Sequence, residues 1–118
     1  MQNTIKIAVD AMGGDYAPDE IIKGAVLAVR DREDIRILLV GKEDVIQKGL
    51  SEYDYDKTRI EVVHAENIIS NNEAPVLAIR RKKDSSIVVA LNLVKSGEAD
   101  AFVSAGSTGA VLAGGQLI

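Results

Sequence analysis

Cysteine and tryptophan are both absent from this chain of 118 residues, which holds one phenylalanine and three tyrosines. Without thiols, neither disulfides nor thiolate metal sites can form. The scarcity of aromatics leaves the interior to Ile, Val, Leu and Ala, favouring a core of sheet and helices over an aromatic-rich sandwich. Apolar runs are short. None approaches the about 18 residues that a spanning helix requires, and the N-terminus leads into a strand-like segment without the apolar stretch of a signal peptide. A soluble chain with a cytoplasmic address is the expectation, with any membrane contact either peripheral or outside these residues. Fourteen basic residues against eighteen acidic ones give a formal net charge of −4, which argues against a binder of the nucleic-acid backbone. Two familiar site motifs are also missing. Gly41-Lys42 is followed by Glu43 rather than Ser or Thr, so there is no ATPase phosphate loop, and no His-Glu-x-x-His zinc pattern occurs.

What the sequence does contain is alternation. With 47% apolar residues, its length suits one domain that buries roughly two-thirds of its unfolded surface. Ile5 to Asp10 is β-branched and alternating and stops at Ala11-Met12-Gly13-Gly14-Asp15, as a strand does. Pro18 suits the first turn of a helix on which Ile22, Ala25, Val26 and Val29 form one buried stripe. Ile35 to Val40 is almost continuously apolar, the pattern of a parallel strand covered on both faces. A short helix from Glu43 to Leu50 and a strand from Ile60 to Val63, ending at His64, come next. Glu73-Ala74-Pro75 opens another helix, and Ile87, Ala90, Leu91 and Val94 mark one more, closing at Gly97. Ala101 to Val103 is a short strand that leads into Ser104-Ala105-Gly106-Ser107-Thr108-Gly109, and Ala110 to Ile118 is helix-like. The order βαβαβααβα predicts an α/β fold with a doubly wound, mostly parallel sheet, whose ligands lie beyond the carboxyl ends of the strands. The final residues stop inside an apolar helical pattern, as expected of a truncated chain.

Three segments could carry chemistry. The Ser104-to-Gly109 loop puts small and hydroxyl-bearing residues between a strand and a helix start, where free N–H groups and the helix dipole favour an anion such as phosphate. An ordinary tight turn has the same look. Asp10 and Asp15 bracket Gly13-Gly14, so a carboxylate there could act as a base, bind a cation or orient a loop donor, while Asp15 could equally cap the first helix. Arg80-Arg81-Lys82-Lys83 is either a solvated helix face or, with Ser85-Ser86 directly after it, a corner that combines point charges with helix N-terminal donors. His64 has no identified partner and reads as structural.

Taken in order, Asp10-Ala11-Met12-Gly13-Gly14-Asp15, Arg80-Arg81-Lys82-Lys83-Asp84-Ser85-Ser86 and Ser104-Ala105-Gly106-Ser107-Thr108-Gly109-Ala110, with Val88 to Val94 between, closely resemble the bacterial phosphate acyltransferases of phospholipid synthesis. The resemblance implies a fold similar to phosphotransacetylases and isocitrate-type dehydrogenases. It also implies transfer of a fatty acyl group from acyl carrier protein to inorganic phosphate, giving acyl phosphate, with no cofactor and no metal. Homodimers loosely associated with the membrane are expected. Because members run to about two or three times a domain of this size, residues 1–118 would be the N-terminal part of a single α/β enzyme, inactive alone. Ser107 departs from the family pattern, which most often has Asn there. In this reading phosphate lies between Gly13, Gly14 and Asp15, the loop of Ser104, Gly106, Ser107, Thr108 and Gly109, and a catalytic corner of Arg80 and Lys83 with Ser85 and Ser86, whose donors fix it in line with the thioester carbonyl. Asp10 would orient the phosphate or accept a proton, and positioning and charge would supply most of the catalysis.

Two rivals remain. Ser104 to Gly109 matches Gly-x-Gly-x-x-Gly except at its first position, which suggests a nicotinamide-dependent dehydrogenase, although that fingerprint normally follows the first strand. A non-enzymatic module that docks a phospho-ligand or an acidic carrier protein on the cationic corner is the other.

Overall fold

β2 (Ile35–Gly41) is buried at every position except Arg36, because helices cover both faces of the sheet. The computed structural model describes residues 4–69, 73–106 and 108–118. Around β2 the chain runs β1 (Ile5–Asp10), α1 (Asp19–Asp31), β2, α2 (Glu43–Leu50), β3 (Ile60–His64), α3 (Pro75–Arg81), α4 (Ser86–Lys95), β4 (Ala101–Val103) and α5 (Thr108–Leu117). The order expected from alternation is therefore the order found. The four strands are all parallel and lie in the order β3-β2-β1-β4.

Because side chains alternate across a strand, β2 feeds two cores. Ile35, Ile37 and Leu39 meet Ile22, Val26 and Val29 of α1 and Ile46 and Leu50 of α2 on one face. Leu38 and Val40 meet Ala90 of α4, together with Ala8 of β1, on the other. A third cluster, around Ile79, Ile87, Val88 and Ala110, joins α3, α4 and α5. α4 thus lies between the sheet and two helices. Its buried set is accordingly Ile87, Val88 and Ala90 with Ser86, and the expected stripe positions Leu91 and Val94 are only half-buried.

Helix starts differ from expectation in two places. α1 begins at Asp19, with Pro18 in the N-cap position and no side-chain cap. Asp15 is exposed and does not cap it; instead, Asp19 and Glu20 place negative charge in the first turn, which suits the helix dipole. α5 begins at Thr108 rather than Ala110, so the end of the glycine loop is already helical. No helix among the described residues is long and apolar enough to cross a membrane.

Arg59 ties the open end of the fold together. Its guanidinium donates to the carbonyls of Val29 (2.7 Å), Arg32 and Ile35 (2.7 Å), joining the end of α1 to the start of β2. Asp56 shapes the turn before it, accepting the Thr58 hydroxyl (2.6 Å) and N–H (3.0 Å) on one oxygen. Those two bonds hold the Asp56 carboxyl below its ordinary range, and the Arg32 guanidinium does the same for Asp34.

Arg59→Ala should lower the unfolding free energy by about 2 kcal/mol, the scale of a lost charged hydrogen bond, read as a lower urea midpoint. A carboxyl depressed on folding contributes its stability in full above the unfolded value and loses it as the pH falls through the folded one. Asp34→Asn and Asp56→Asn together should therefore flatten the loss of stability below about pH 4; an acid limb identical to that of the parent would contradict this.

Candidate functional site

The strand order reverses beside β1. The chain steps outward from β1 to β2 to β3, with α1 and α2 on one face, and then returns to pair β4 on the opposite edge of β1, after α4 on the other face. At such a switch point successive loops diverge and leave a crevice at the carboxyl ends, where ligands of open α/β sheets bind. The register Val9↔Val103 puts the loops after β1 and β4 side by side.

These two loops touch backbone to backbone. A Cβ built on Gly13 would stand 2.8 Å from the Gly106 nitrogen, 2.9 Å from its Cα and 2.6 Å from Oδ2 of Asp10. Only a residue without a side chain fits there. Gly14 turns the chain with φ +104°, a conformation that L side chains rarely adopt. Asp10, the last residue of β1, is 1% exposed beneath this contact. Its Oδ1 accepts the N–H of Met12 (3.0 Å) and its Oδ2 the hydroxyl of Ser104 (2.9 Å), whose oxygen in turn accepts the N–H of Gly106 (3.0 Å). The N–H groups of Gly13, Gly14 and Asp15 meet no acceptor among the described residues. Donors without acceptors at a crevice suit an anion.

The other candidates fall into separate groups. Ser85 and Ser86 are buried at the start of α4; the Ser85 hydroxyl accepts the N–H of Val88 as the helix cap, and the Ser86 N–H donates to the Asn67 carbonyl. In the basic run, Lys82 is committed to Glu73 (2.8 Å) and to the Ile68 carbonyl (3.0 Å). Arg80 and Lys83 flank a hollow of about 350 Å³ floored by Ile79, Val88, Leu117 and Ile118, whose lining includes none of the glycine-loop residues. Thr108 is exposed at the start of α5, and Gly109 packs against Pro75, where a Cβ would come within 2.7 Å. Ser107 lies outside the described residues. No group of three or more metal-ligating side chains comes together among the described residues.

Sequence reasoning missed one pair. His64 accepts the Glu43 N–H on Nδ1 (3.2 Å), which leaves the proton on Nε2, 2.8 Å from Glu66. It lies at the end of β3, in register with Gly41, on the same carboxyl edge as the glycine loops. The spacing His64-x-Glu66 was the available signal, but two residues apart is too common a separation to stand out.

Comparison with known proteins matches residues 5–118 to the family described as "Fatty acid synthesis protein". The chain belongs to that family. Among its relatives is the phosphate acyltransferase of Clostridium botulinum (strain ATCC 19397 / Type A), 53% identical over 95% of this chain and 33% of the relative. That of Alkaliphilus oremlandii (strain OhILAs) is 54% identical over 97% of this chain and 34% of its own length. That of Clostridioides difficile (strain 630) is 50% identical over 97% and 33%. The chain therefore spans about a third of the length of these relatives.

Gly13→Ala should force the two loops of this family member apart, because the Cβ would meet backbone and a buried carboxylate rather than a flexible side-chain tip. A destabilisation of about 1–3 kcal/mol is expected, the range for overpacking. A denaturation midpoint equal to that of the parent would mean that the close contact is absent in solution.

Proposed function

We propose that residues 1–118 are the N-terminal part of a phosphate acyltransferase that moves a fatty acyl group from acyl carrier protein to inorganic phosphate, giving acyl phosphate for phospholipid synthesis. The observation that carries this reading is the meeting of the Gly13-Gly14 and Ser104-to-Gly106 loops at the switch point, with N–H donors beside it that find no acceptor among the described residues. Relatives named phosphate acyltransferase support it, and the nicotinamide rival gains nothing from them.

The chemistry asks for little beyond placement. A phosphate oxygen attacks the thioester carbonyl, a C–O bond forms, the C–S bond breaks, and the proton of the phosphate goes to the sulfur, so that the carrier leaves as its thiol. Phosphate at neutral pH is already nucleophilic, so holding it in line supplies most of the rate, and donors aimed at the developing oxyanion supply the rest. The Gly13, Gly14 and Asp15 amides, with Ser107, Thr108 and Gly109, hold the phosphate, while Ser104 and Gly106, whose donors are spent on Asp10 and on each other, shape the loop beside it. Arg80 and Lys83, at the rim of the apolar hollow, receive the acyl thioester end of the carrier protein. The working enzyme is a homodimer in the cytoplasm with peripheral membrane association, and it needs no cofactor and no nucleic acid.

The full-length protein should form acyl phosphate from acyl carrier protein thioester and phosphate. Arg80→Ala with Lys83→Ala should cost about 10²-fold in kcat/KM for the thioester, the scale of losing charged contacts to a transition state. Absence of acyl phosphate, together with retained binding of carrier protein, would replace the enzyme reading with that of a binding module.

A further inference from the structure

Asp10 is a buried carboxylate to which the substrate chemistry above gives no task. It is 1% exposed, and no basic side chain among the described residues is paired with it. Both partners on its oxygens are donors: the Met12 N–H on Oδ1 and the Ser104 hydroxyl on Oδ2. Ser104 donates its one proton to Oδ2 of Asp10, and its oxygen accepts the Gly106 N–H at 3.0 Å. The chain Gly106 N–H to Ser104 O–H to carboxylate therefore runs one way and ends on an acceptor-only group.

Position adds to this. Oδ2 lies 2.6 Å from where a Gly13 Cβ would be and 3.4 Å from where a Gly106 Cβ would be, directly under the contact between the loops. With one oxygen gripping the loop after β1 and the other gripping the loop after β4, the carboxylate fixes the spacing of both. It is covered by the very backbone that faces the crevice, so a phosphate in the crevice does not reach it.

We propose that Asp10, acting through Ser104, is a positioning residue: a latch that locks the two glycine loops together so that the unspent N–H groups of Gly13, Gly14 and Asp15 are held toward one phosphate. It acts through the loops and takes no proton from the substrate. The proposal rests on the phosphate acyltransferase reading for its kinetic consequences, although the latch itself does not depend on it.

The test uses the full-length protein and the variants D10N, S104A, S104T and D10N/S104A. For a latch, D10N and S104A should each raise the KM for inorganic phosphate by about tenfold, the scale of one lost hydrogen bond to a charged group, while the KM for acyl carrier protein stays unchanged. S104T, which keeps the hydroxyl, should restore the phosphate KM. The double variant should be no more than about twofold worse than either single one, because both break the same link. A base would behave differently: D10N would lose about 10²-fold or more in kcat at saturating phosphate together with the acidic limb of the pH profile, and S104A would not. That pattern overturns the proposal, as does an unchanged phosphate KM in folded D10N and S104A. Amide hydrogen exchange separates the latch from the activity. In the parent protein the Met12 and Gly106 amides should exchange slowly and those of Gly13 and Gly14 fast; S104A, which removes its acceptor, should release the Gly106 amide, and D10N, which leaves Met12 an acceptor oxygen but gives Ser104 an N–H donor in place of one, should speed Gly106 more than Met12. Equal exchange at all four sinks the latch even if acyl phosphate forms, whereas the expected exchange pattern without acyl phosphate leaves the latch standing and removes the function.

Discussion

Backbone atoms of Gly13 and Gly106 lie so close that neither position could carry a side chain without moving the other, and the arrangement of the carboxyl edge hangs on that approach. Two loops from non-consecutive strands can meet in this way only if those strands are neighbours, which the order β3-β2-β1-β4 makes them. They are neighbours because α1 and α2 take one face of the sheet and α4 the other, so that the returning chain must enter on the free edge of β1. Burial of Ile, Val and Leu on both faces of β2 thus fixes the place where two polar loops come together. The hydrophobic core and the crevice are two consequences of one strand order.

The cost of bringing the loops together falls on polar groups. Closing them removes Asp10 from water, and a buried carboxylate is tolerated only when its oxygens are hydrogen-bonded. Met12 and Ser104 meet that demand with donors supplied by the same two loops. Packing and electrostatics are coupled here: the glycines allow the approach, and the carboxylate collects the donors that the approach would otherwise strand. No salt bridge is needed, which keeps the net charge of the crevice negative behind and dipolar in front.

Much of this was legible in the sequence, and what was not has a physical reason. Alternation in Ile5 to Asp10 and the apolar run of β2 report burial on one face or two, and such periodicity is local, so element order followed directly. The positions of Gly13-Gly14 and the Ser104 loop at strand ends were readable for the same reason. The contact between Gly13 and Gly106 was not, since it joins residues far apart in the chain and depends on strand order. Ser85 reads equally as ligand or cap, because a serine hydroxyl serves both; only the 3.3 Å bond from the Val88 N–H shows it capping. Arg80 and Lys83 share a run with Lys82, yet helix geometry sends Lys82 to Glu73 and leaves the other two at a separate hollow. Adjacency along a chain says little about adjacency in space once a helix intervenes. Arg59 was invisible for the opposite reason: its three acceptors are carbonyls, which every residue has.

The separation of glycine loops from basic corner has a consequence for how an anion would be held. On the proposed reading phosphate meets amide donors rather than cations, and at physiological salt surface charge is screened beyond about 8 Å. Recognition must then be short-range, through N–H groups fixed in place before the anion arrives. Amide dipoles held by a buried latch lose little entropy on binding, whereas flexible lysines must be immobilised. Dipoles also spread partial charge over several donors and leave the bound phosphate its negative charge, which a nucleophile must keep. A cluster of full positive charges in the same place would bind phosphate more tightly and make it less reactive. On the proposed reading, the placement of cations at the apolar hollow and of amides at the crevice assigns charge neutralisation to the acyl donor and orientation to the nucleophile.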